Sequence, residues 1–254
     1  MRIAVIGGTG LIGTRLVSRL RADAHDVVAA SRATGVNSYT GEGLAEALTG
    51  VETVIDVSNS GYLDEREANE FFYGSTLNLL TYGAAAGVGH HVALSVVGTD
   101  RLAGTEGGYF AAKAVQEQLV RASGRPYSIV HATQFFEFIQ SIADAAFVRG
   151  AVRVSNAFIQ PMAADDVAAA TASVALGRPL NGLAEFAGPE RFRLAEIVRR
   201  GLDIRQDPRE VVADPLAQYF GTLLEEDELL PGPGATLAST RITDWLADAP
   251  TVSA

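Results

Sequence analysis

The chain has 254 residues and a formal net charge of −10, from 20 basic and 30 acidic side chains, and it contains no cysteine. The missing cysteine excludes disulfides, thiolate nucleophiles and Cys-ligated zinc or iron–sulfur clusters together. The acidic balance works against a nucleic-acid partner, which needs basic surface. With 48% hydrophobic and 20% charged residues, the composition is that of a globular protein long enough to bury its own core.

Met1-Arg2-Ile3-Ala4-Val5-Ile6 reads directly as a strand, so no signal peptide is expected. No apolar stretch approaches the ~20 residues of a bilayer span, so the expected setting is cytoplasmic, with no membrane partner. Short β-rich runs at 2–6, 26–31, 35–39, 53–57, 91–97 and 127–131 alternate with helical patterns at 11–22, 44–48, 66–86 and 109–123. This alternation predicts an α/β fold with a doubly wound parallel sheet. In the 109–123 helix, Ala112, Val115 and Leu119 form the stripe expected to face the sheet. Beyond residue 150 the pattern loosens. It suggests a helix over 165–175 capped by Asp165-Asp166, a strand near 183–187, a helix over 194–202 and a last helix over 236–246. Residues 1–155 are therefore expected to form a dinucleotide-binding core. Residues 156–254 are expected to form a smaller substrate-capping region, whose 183–187 strand could return to the core sheet.

Gly7-Gly8-Thr9-Gly10-Leu11-Ile12-Gly13 lies between the first strand and the first helix. Glycines three apart allow a tight turn, close approach of the backbone to a pyrophosphate, and packing of helix on strand, while the helix N-terminus supplies N–H donors. Gly7, Thr9, Gly10, Leu11, Ile12 and Gly13 are thus candidate cofactor residues of a Rossmann site. The second strand runs into Ser31-Arg32, where an NAD-preferring site usually carries a carboxylate. Arg32 can pair with a 2′-phosphate, which points to NADP(H). Ser58-Asn59 follows the next core strand, at the edge where a cofactor ribose would lie.

Of the 20 basic residues only Lys113 is a lysine. It stands four residues after Tyr109, on the same helical face. A phenol titrates near 10, and bringing it to neutral pH takes about 4 kcal/mol, the order that one ammonium about 4 Å away supplies. Tyr109 and Lys113 are therefore candidate proton donor and partner, with Lys113 also suited to ribose hydroxyls. Ser95, fourteen residues before Tyr109, could polarise a substrate carbonyl if strand alternation turns it to the site. Thr133 and Gln134 are placed to meet a nicotinamide carboxamide, and Gln134, Phe135, Phe136 and Phe138 suggest an apolar substrate pocket. The four histidines show no metal-ligand spacing, so no metal is expected.

Taken together, Gly7–Gly13, Ser31-Arg32, the 94–100 run Leu-Ser-Val-Val-Gly-Thr-Asp, Tyr109–Lys113, the 133–138 run Thr-Gln-Phe-Phe-Glu-Phe, the 160–168 run and Ala187-Gly188-Pro189-Glu190 resemble the NmrA-like group of atypical short-chain dehydrogenases/reductases. The resemblance implies an NADP(H)-binding Rossmann core with a small C-terminal substrate region. It also implies either reduction of quinones, enones or carbonyls, or non-catalytic sensing of the cofactor's redox state. Three departures stand out. The 37–43 run lacks the usual Asp-Leu that contacts adenine, His131 stands where Arg is common, and Ser95 is offset by a residue from the wider superfamily's catalytic serine. The leading expectation is an NADPH-dependent reductase of a small, largely apolar carbonyl, quinone or enone, and the alternative is the redox sensor. Sugar-nucleotide epimerisation is disfavoured because roughly 100 residues after the core leave little room for its subdomain. Monomer and homo-oligomer stay equally open.

Overall fold

The computed structural model describes residues 1–60, 65–104 and 108–248. The first half contains β1 (Arg2–Ile6), α1 (Leu11–Ala22), β2 (Asp26–Ala30), α2 (Leu44–Ala47), β3 (Thr53–Asp56), α3 (Glu65–Ala86), β4 (His90–Val96), α4 (Thr99–Leu102), α5 (Gly108–Ala122) and β5 (Tyr127–Ala132). It is followed by α6 (Ile139–Ala145), β6 (Phe147–Val148), β7 (Ala151–Val154), β8 (Phe158–Ile159), α7 (Ala164–Leu176) and β9 (Gly182–Ala187). The chain continues through β10 (Phe192–Arg193), α8 (Leu194–Ile204), β11 (Glu210–Ala213), β12 (Thr236–Leu237) and α9 (Ile242–Asp248).

Seven strands pair in parallel in the order β12-β9-β5-β4-β3-β1-β2. Along β1 the side chains alternate between two apolar layers. Ile3 and Val5 pack with Leu16 and Leu20 of α1 and Val167 of α7. Ala4 and Ile6 pack with Leu44, Leu48 and Leu79 on the opposite face. Cover on both faces explains why these strands are almost wholly apolar. The chain leaves β1 toward β2 and returns to β3 on the other side, which opens a crevice beyond the carboxyl ends of β1 and β3.

A third core joins Leu102, Phe110 and Phe136 to Ile142, Val152, Val154, Ile159, Ile197, Val198 and Leu229. It is built around β11 paired in parallel with β7, which also pairs antiparallel with β6. This lobe stands against the N-terminal end of α5. β9 leaves it and pairs with β5 in the main sheet.

The structure departs from the sequence expectations at four places. Residues 35–39 are not a strand. Arg32–Thr34 forms a short 3-10 turn, Gly35 sits at φ +79°, and the Val36 N–H turns back to the Ser31 carbonyl. The Asn37 carboxamide oxygen then accepts from the N–H of Tyr39 and Thr40, giving the backbone a local alternative to a ladder, so the sheet ends at β2. The expected 236–246 helix divides into β12, on β9, and α9, whose Ile242 N–H is met by the Glu190 carboxylate at 3.1 Å. α7 begins at Ala164, and its first N–H is taken by Glu137 (3.1 and 3.2 Å) rather than by Asp165 or Asp166. On α5, Val115 and Leu119 are only half-buried, and the buried face is Ala112, Lys113, Gln116, Glu117 and Val120. Three polar side chains can occupy that face because each is hydrogen-bonded there.

Candidate active site

The glycine turn is fixed by packing. Gly7 has φ +81°, and a Cβ on it would stand 3.0 Å from the Ser58 backbone. A Cβ on Gly13 would lie 2.0 Å from the Gly7 carbonyl oxygen, and one on Gly8 would lie 2.9 Å from Ala29 Cα. The turn is thus pressed between α1, β2 and the segment after β3. α1 starts from Gly10 with no side-chain cap and no acidic residue in its first turn, leaving its leading N–H groups for an anion.

A cavity of about 740 Å³ opens over this turn. Its walls are Gly7, Thr9, Gly10, Leu11 and Ile12 from the turn, Ser31 and Arg32 after β2, and Ser58 and Asn59 after β3. Ser95, Tyr109, Lys113, Thr133, Gln134, Phe135 and Phe138 complete the side nearest the C-terminal lobe. Two of the expected site residues lie elsewhere. Gly13 sits behind the turn, where it holds α1 against it. Phe136 is 1% exposed and packs 5.4 Å from Trp245 in the third core, so it is not a pocket residue. Consecutive residues 135 and 136 point apart, and only one can face the cavity. Sequence reading missed Asn37, Ser38 and Tyr39, which line the cavity because their turn folds back over it, and Ile142, Tyr219 and Phe220 from the C-terminal lobe.

The walls fit a dinucleotide. The Arg32 guanidinium is exposed and has no acidic partner among the described residues. Ser31 Oγ and both polar atoms of the Gln134 carboxamide are buried without a hydrogen-bond partner, so they are groups that a bound ligand would satisfy. Thr133 donates its hydroxyl to the Gln160 carbonyl at 2.7 Å.

Lys113 is 2% exposed. Its Nζ donates to the Leu94 carbonyl at 2.8 Å and to Gln116 Oε1, and it lies 4.5 Å from the centre of the Phe72 ring. Gln116 Nε2 in turn donates to Asp56 Oδ2 at 2.8 Å, and Asp56 Oδ1 accepts from the backbone N–H and hydroxyl of Ser58 (2.9 and 2.6 Å). A buried carboxylate thus balances the buried ammonium through an amide bridge. Burial lowers the Lys113 pKa to about 8, opposed by the charges of Asp56 and Glu117. Tyr109 packs edge-on against Phe72 and Phe110, at ring separations of 6.0 and 6.2 Å.

Ser95 Oγ donates to Glu117 Oε1 at 2.6 Å, and His131 Nε2 lies 2.7 Å from the same oxygen. Arg121 Nη2 reaches Glu117 Oε2 at 3.2 Å. Burial would raise the Glu117 carboxyl, but the hydrogen bonds and charge of His131, with those of Ser95 and Arg121, hold it below the usual carboxylate range. Asp56 heads the polar run Asp56-Val57-Ser58-Asn59 that ends β3, whereas Gln116 and Glu117 belong to no sequence motif. The signal available was a helix face carrying three polar residues beside the lone lysine.

Beyond Tyr109, Tyr219 and Phe220, which line both spaces, lies a second cavity of about 630 Å³. Its walls include Ala68, Ile142, Ala145, Ala146 and Val154, with Arg153 facing Asp214 at 3.5 Å. Among the described residues no cluster of His, Asp or Glu could hold a metal ion, and no helix is long and apolar enough to cross a membrane.

Known structures share this fold. MoeE5, solved with UDP-glucose and NAD, superposes with a TM-score of 0.72 at 18% identity over 97% of this chain and 96% of its own. The dTDP-glucose 4,6-dehydratase DesIV from Streptomyces venezuelae gives 0.71 at 20% identity over 97% and 95%. The NADPH-dependent quinone oxidoreductase QOR2 from Escherichia coli, solved with NADPH, gives 0.62 at 21% identity over 85% and 78%. The near-complete match to MoeE5 removes chain length as a reason to disfavour sugar nucleotides. No curated protein sequence matches the chain. The profile of the NAD dependent epimerase/dehydratase family, however, matches residues 3–136, more than half of the sequence, and the chain is a member of that family of NAD(P)-binding Rossmann proteins.

Proposed function

We propose that the protein is an NADPH-dependent reductase of a small, largely apolar quinone, enone or carbonyl, close in type to the NmrA-like short-chain reductases. The observation that carries this reading is the joining, in one cavity, of the glycine turn and Arg32 at one end with Tyr109 and Lys113 at the other. In this reading residues 1–155 hold the cofactor and the C-terminal lobe supplies the substrate wall.

The turn and the start of α1 would hold the diphosphate, Arg32 would pair with a 2′-phosphate, and Ser58 and Asn59 would serve a ribose. Gln134, whose Nε2 and Oε1 are buried without partners, would meet the nicotinamide carboxamide with both a donor and an acceptor, while the Thr133 hydroxyl, donating to the Gln160 carbonyl, keeps only its lone pairs for it. A nicotinamide cofactor held there would supply the hydride. Tyr109 donates the proton that the reduced acceptor takes. Lys113 keeps one N–H beyond its bonds to Leu94 and Gln116 for a ribose hydroxyl, and its ammonium charge favours the phenolate that Tyr109 leaves behind. Phe135, Phe138, Tyr219 and Phe220 exclude water around the acceptor.

Substrate charge separates this reading from the sugar-nucleotide chemistry named for MoeE5 and DesIV. Among the described residues lining the two cavities, the cations are Arg32, Lys113 and Arg153. The first two serve the cofactor and the third is paired with Asp214, so no unpaired cation remains for a second diphosphate. The test is stopped-flow oxidation of NADPH with menadione, phenanthrenequinone and an enone panel, for wild type and Tyr109→Phe. Turnover reduced at least 100-fold by Tyr109→Phe is the expected result. NADPH that binds but is consumed by no acceptor would instead favour the sensor, and UDP-glucose binding with micromolar affinity would favour a sugar nucleotide.

A further inference from the structure

Strand alternation does turn Ser95 to the cavity, but not with a hydrogen to give. Ser95 lies opposite His131 across β4 and β5, and His131 lies opposite Glu185 across β5 and β9. From α5, Glu117 reaches this row and sets one oxygen, Oε1, 2.6 Å from Ser95 Oγ and 2.7 Å from His131 Nε2. Its other oxygen takes Arg121 Nη2 at 3.2 Å. These bonds keep Glu117 ionised, and an ionised carboxylate only accepts. Ser95 and His131 must therefore both donate to it. Thr99 Oγ1 stands 3.4 Å from Ser95 Oγ, but its own hydrogen goes to the Val96 carbonyl at 2.8 Å, so it supplies Ser95 with no donor. The single hydroxyl hydrogen of Ser95 is thus committed to Glu117, and its lone pairs remain. Ser95 is 4% exposed, and it lines the main cavity together with Tyr109, Lys113 and Gln134. What it shows there is an acceptor held in one orientation.

We propose that Ser95, fixed as an acceptor by Glu117, selects a substrate that carries an O–H or N–H of its own besides the group that is reduced; this rests on the reductase reading. A carbonyl or quinone oxygen bears only lone pairs, so setting it against Ser95 would bring two acceptors face to face with no hydrogen between them. The reacting oxygen therefore belongs beside Tyr109, whose phenol has a hydrogen to give. The group that meets Ser95 is a second one, and it donates. This narrows the substrate class from plain apolar quinones, enones and carbonyls to those that bear one hydroxyl or amino group on a largely apolar frame, the frame still matching Phe135 and Phe138. An analogue without that hydrogen leaves a nearly buried acceptor unpaired, so it is penalised rather than merely tolerated. Glu117 acts only through Ser95 and is a positioning residue. One buried carboxylate thus reverses the part that strand position alone would give this serine, from polarising a carbonyl to receiving a hydrogen.

The experiment measures kcat and KM of the full chain with NADPH for compounds that differ in one hydroxyl. Menadione is set against its hydroxymethyl counterpart, and acetophenone against its ortho-, meta- and para-hydroxy derivatives, with the methyl ethers as size controls. In at least one set the hydroxylated member is expected to exceed parent and ether about 10-fold in kcat/KM, mainly through KM. Ser95→Ala, which leaves His131 and Arg121 on Glu117, should bring that ratio close to unity while keeping the wild-type Kd for NADPH. Glu117→Gln still offers Ser95 an oxygen and should hold the ratio near the wild-type value. A wild type that turns over no member of any set sinks the reductase reading. Calorimetry on the NADP⁺-saturated protein then still decides for Ser95, since the hydroxylated member should bind about 10-fold more tightly than its parent to the wild type and equally to Ser95→Ala. Normal turnover with no preference in any set, or a preference that Ser95→Ala leaves intact, sinks the acceptor assignment alone. Weakened NADPH binding in Ser95→Ala does the same, because the lone pairs would then serve the cofactor.

Discussion

Lys113 Nζ donates to the main-chain carbonyl of Leu94 at 2.8 Å, which ties the chain's lone lysine on α5 to the last turn-ward residues of β4. Helix and strand are thus joined beside the cavity that Leu94 and Lys113 both line, by a charged donor buried among Phe72, Gln116 and Asp56. An arginine could not replace it, because a planar guanidinium needs more room and more acceptors than this position offers.

Burial takes the Lys113 pKa from 10.5 to about 8, so between those values the unfolded chain binds a proton that the folded chain has lost. Stability from this group therefore increases as pH rises from 8 to 10.5, by an amount on the order of 3 kcal/mol. Urea unfolding of wild type and Lys113→Met across that range should show the wild type gaining on the variant as pH rises. A constant difference between them would contradict the burial of the ammonium.

Arg32 is exposed at the cavity wall and, among the described residues, no carboxylate is paired to it. Arg32→Ala is expected to weaken NADPH binding about 10- to 100-fold, the loss of charge-assisted hydrogen bonds worth about 1.5–3 kcal/mol, and to leave NADH affinity unchanged. Fluorescence titration with both cofactors measures this directly. Equal affinities of the wild type for NADH and NADPH would overturn the phosphate assignment.

His90 and His91 are both held below the ordinary 6.5 by burial, with the Asp56 charge opposing this at His91 and the Ala175 backbone at His90. As pH falls through 6.5 the unfolded chain takes up these protons first, so stability present at higher pH is lost on the acid side. The urea midpoint is expected to drop between pH 7.5 and 5.5, and His91→Phe should flatten that slope. A midpoint independent of pH in the wild type would show that neither imidazole is kept neutral by the fold.

Much of this protein could be read from residue order. The turn at Gly7–Gly13 must follow an apolar strand and precede an apolar helix to work, and all three features are local in sequence. The alternation of β1 through α5 and the Tyr109–Lys113 spacing are equally local, which is why the cavity gathers most of the residues expected of it. The errors fall where a local pattern meets a competing partner. Val115 and Leu119 suggest an apolar helix face, yet the sheet side of α5 is taken by Lys113, Gln116 and Glu117, because Leu94, Asp56, Ser95 and His131 wait there with matching donors and acceptors. Phe136 reads like its neighbours Phe135 and Phe138, but backbone direction sends it into the core beside Trp245.

Periodicity and the glycine spacing determined the parallel sheet and the place of its glycine turn, since both depend on contacts within one βαβ unit. Tertiary structure alone decided which polar groups become partners. The line of Ser95, His131 and Glu185 exists only because three strands distant in sequence fall into one register, and Glu117 joins it only because α5 lies over that row. A buried charge is tolerable only next to its partners, and those partners come from strands whose neighbours are set by the folding of the whole sheet.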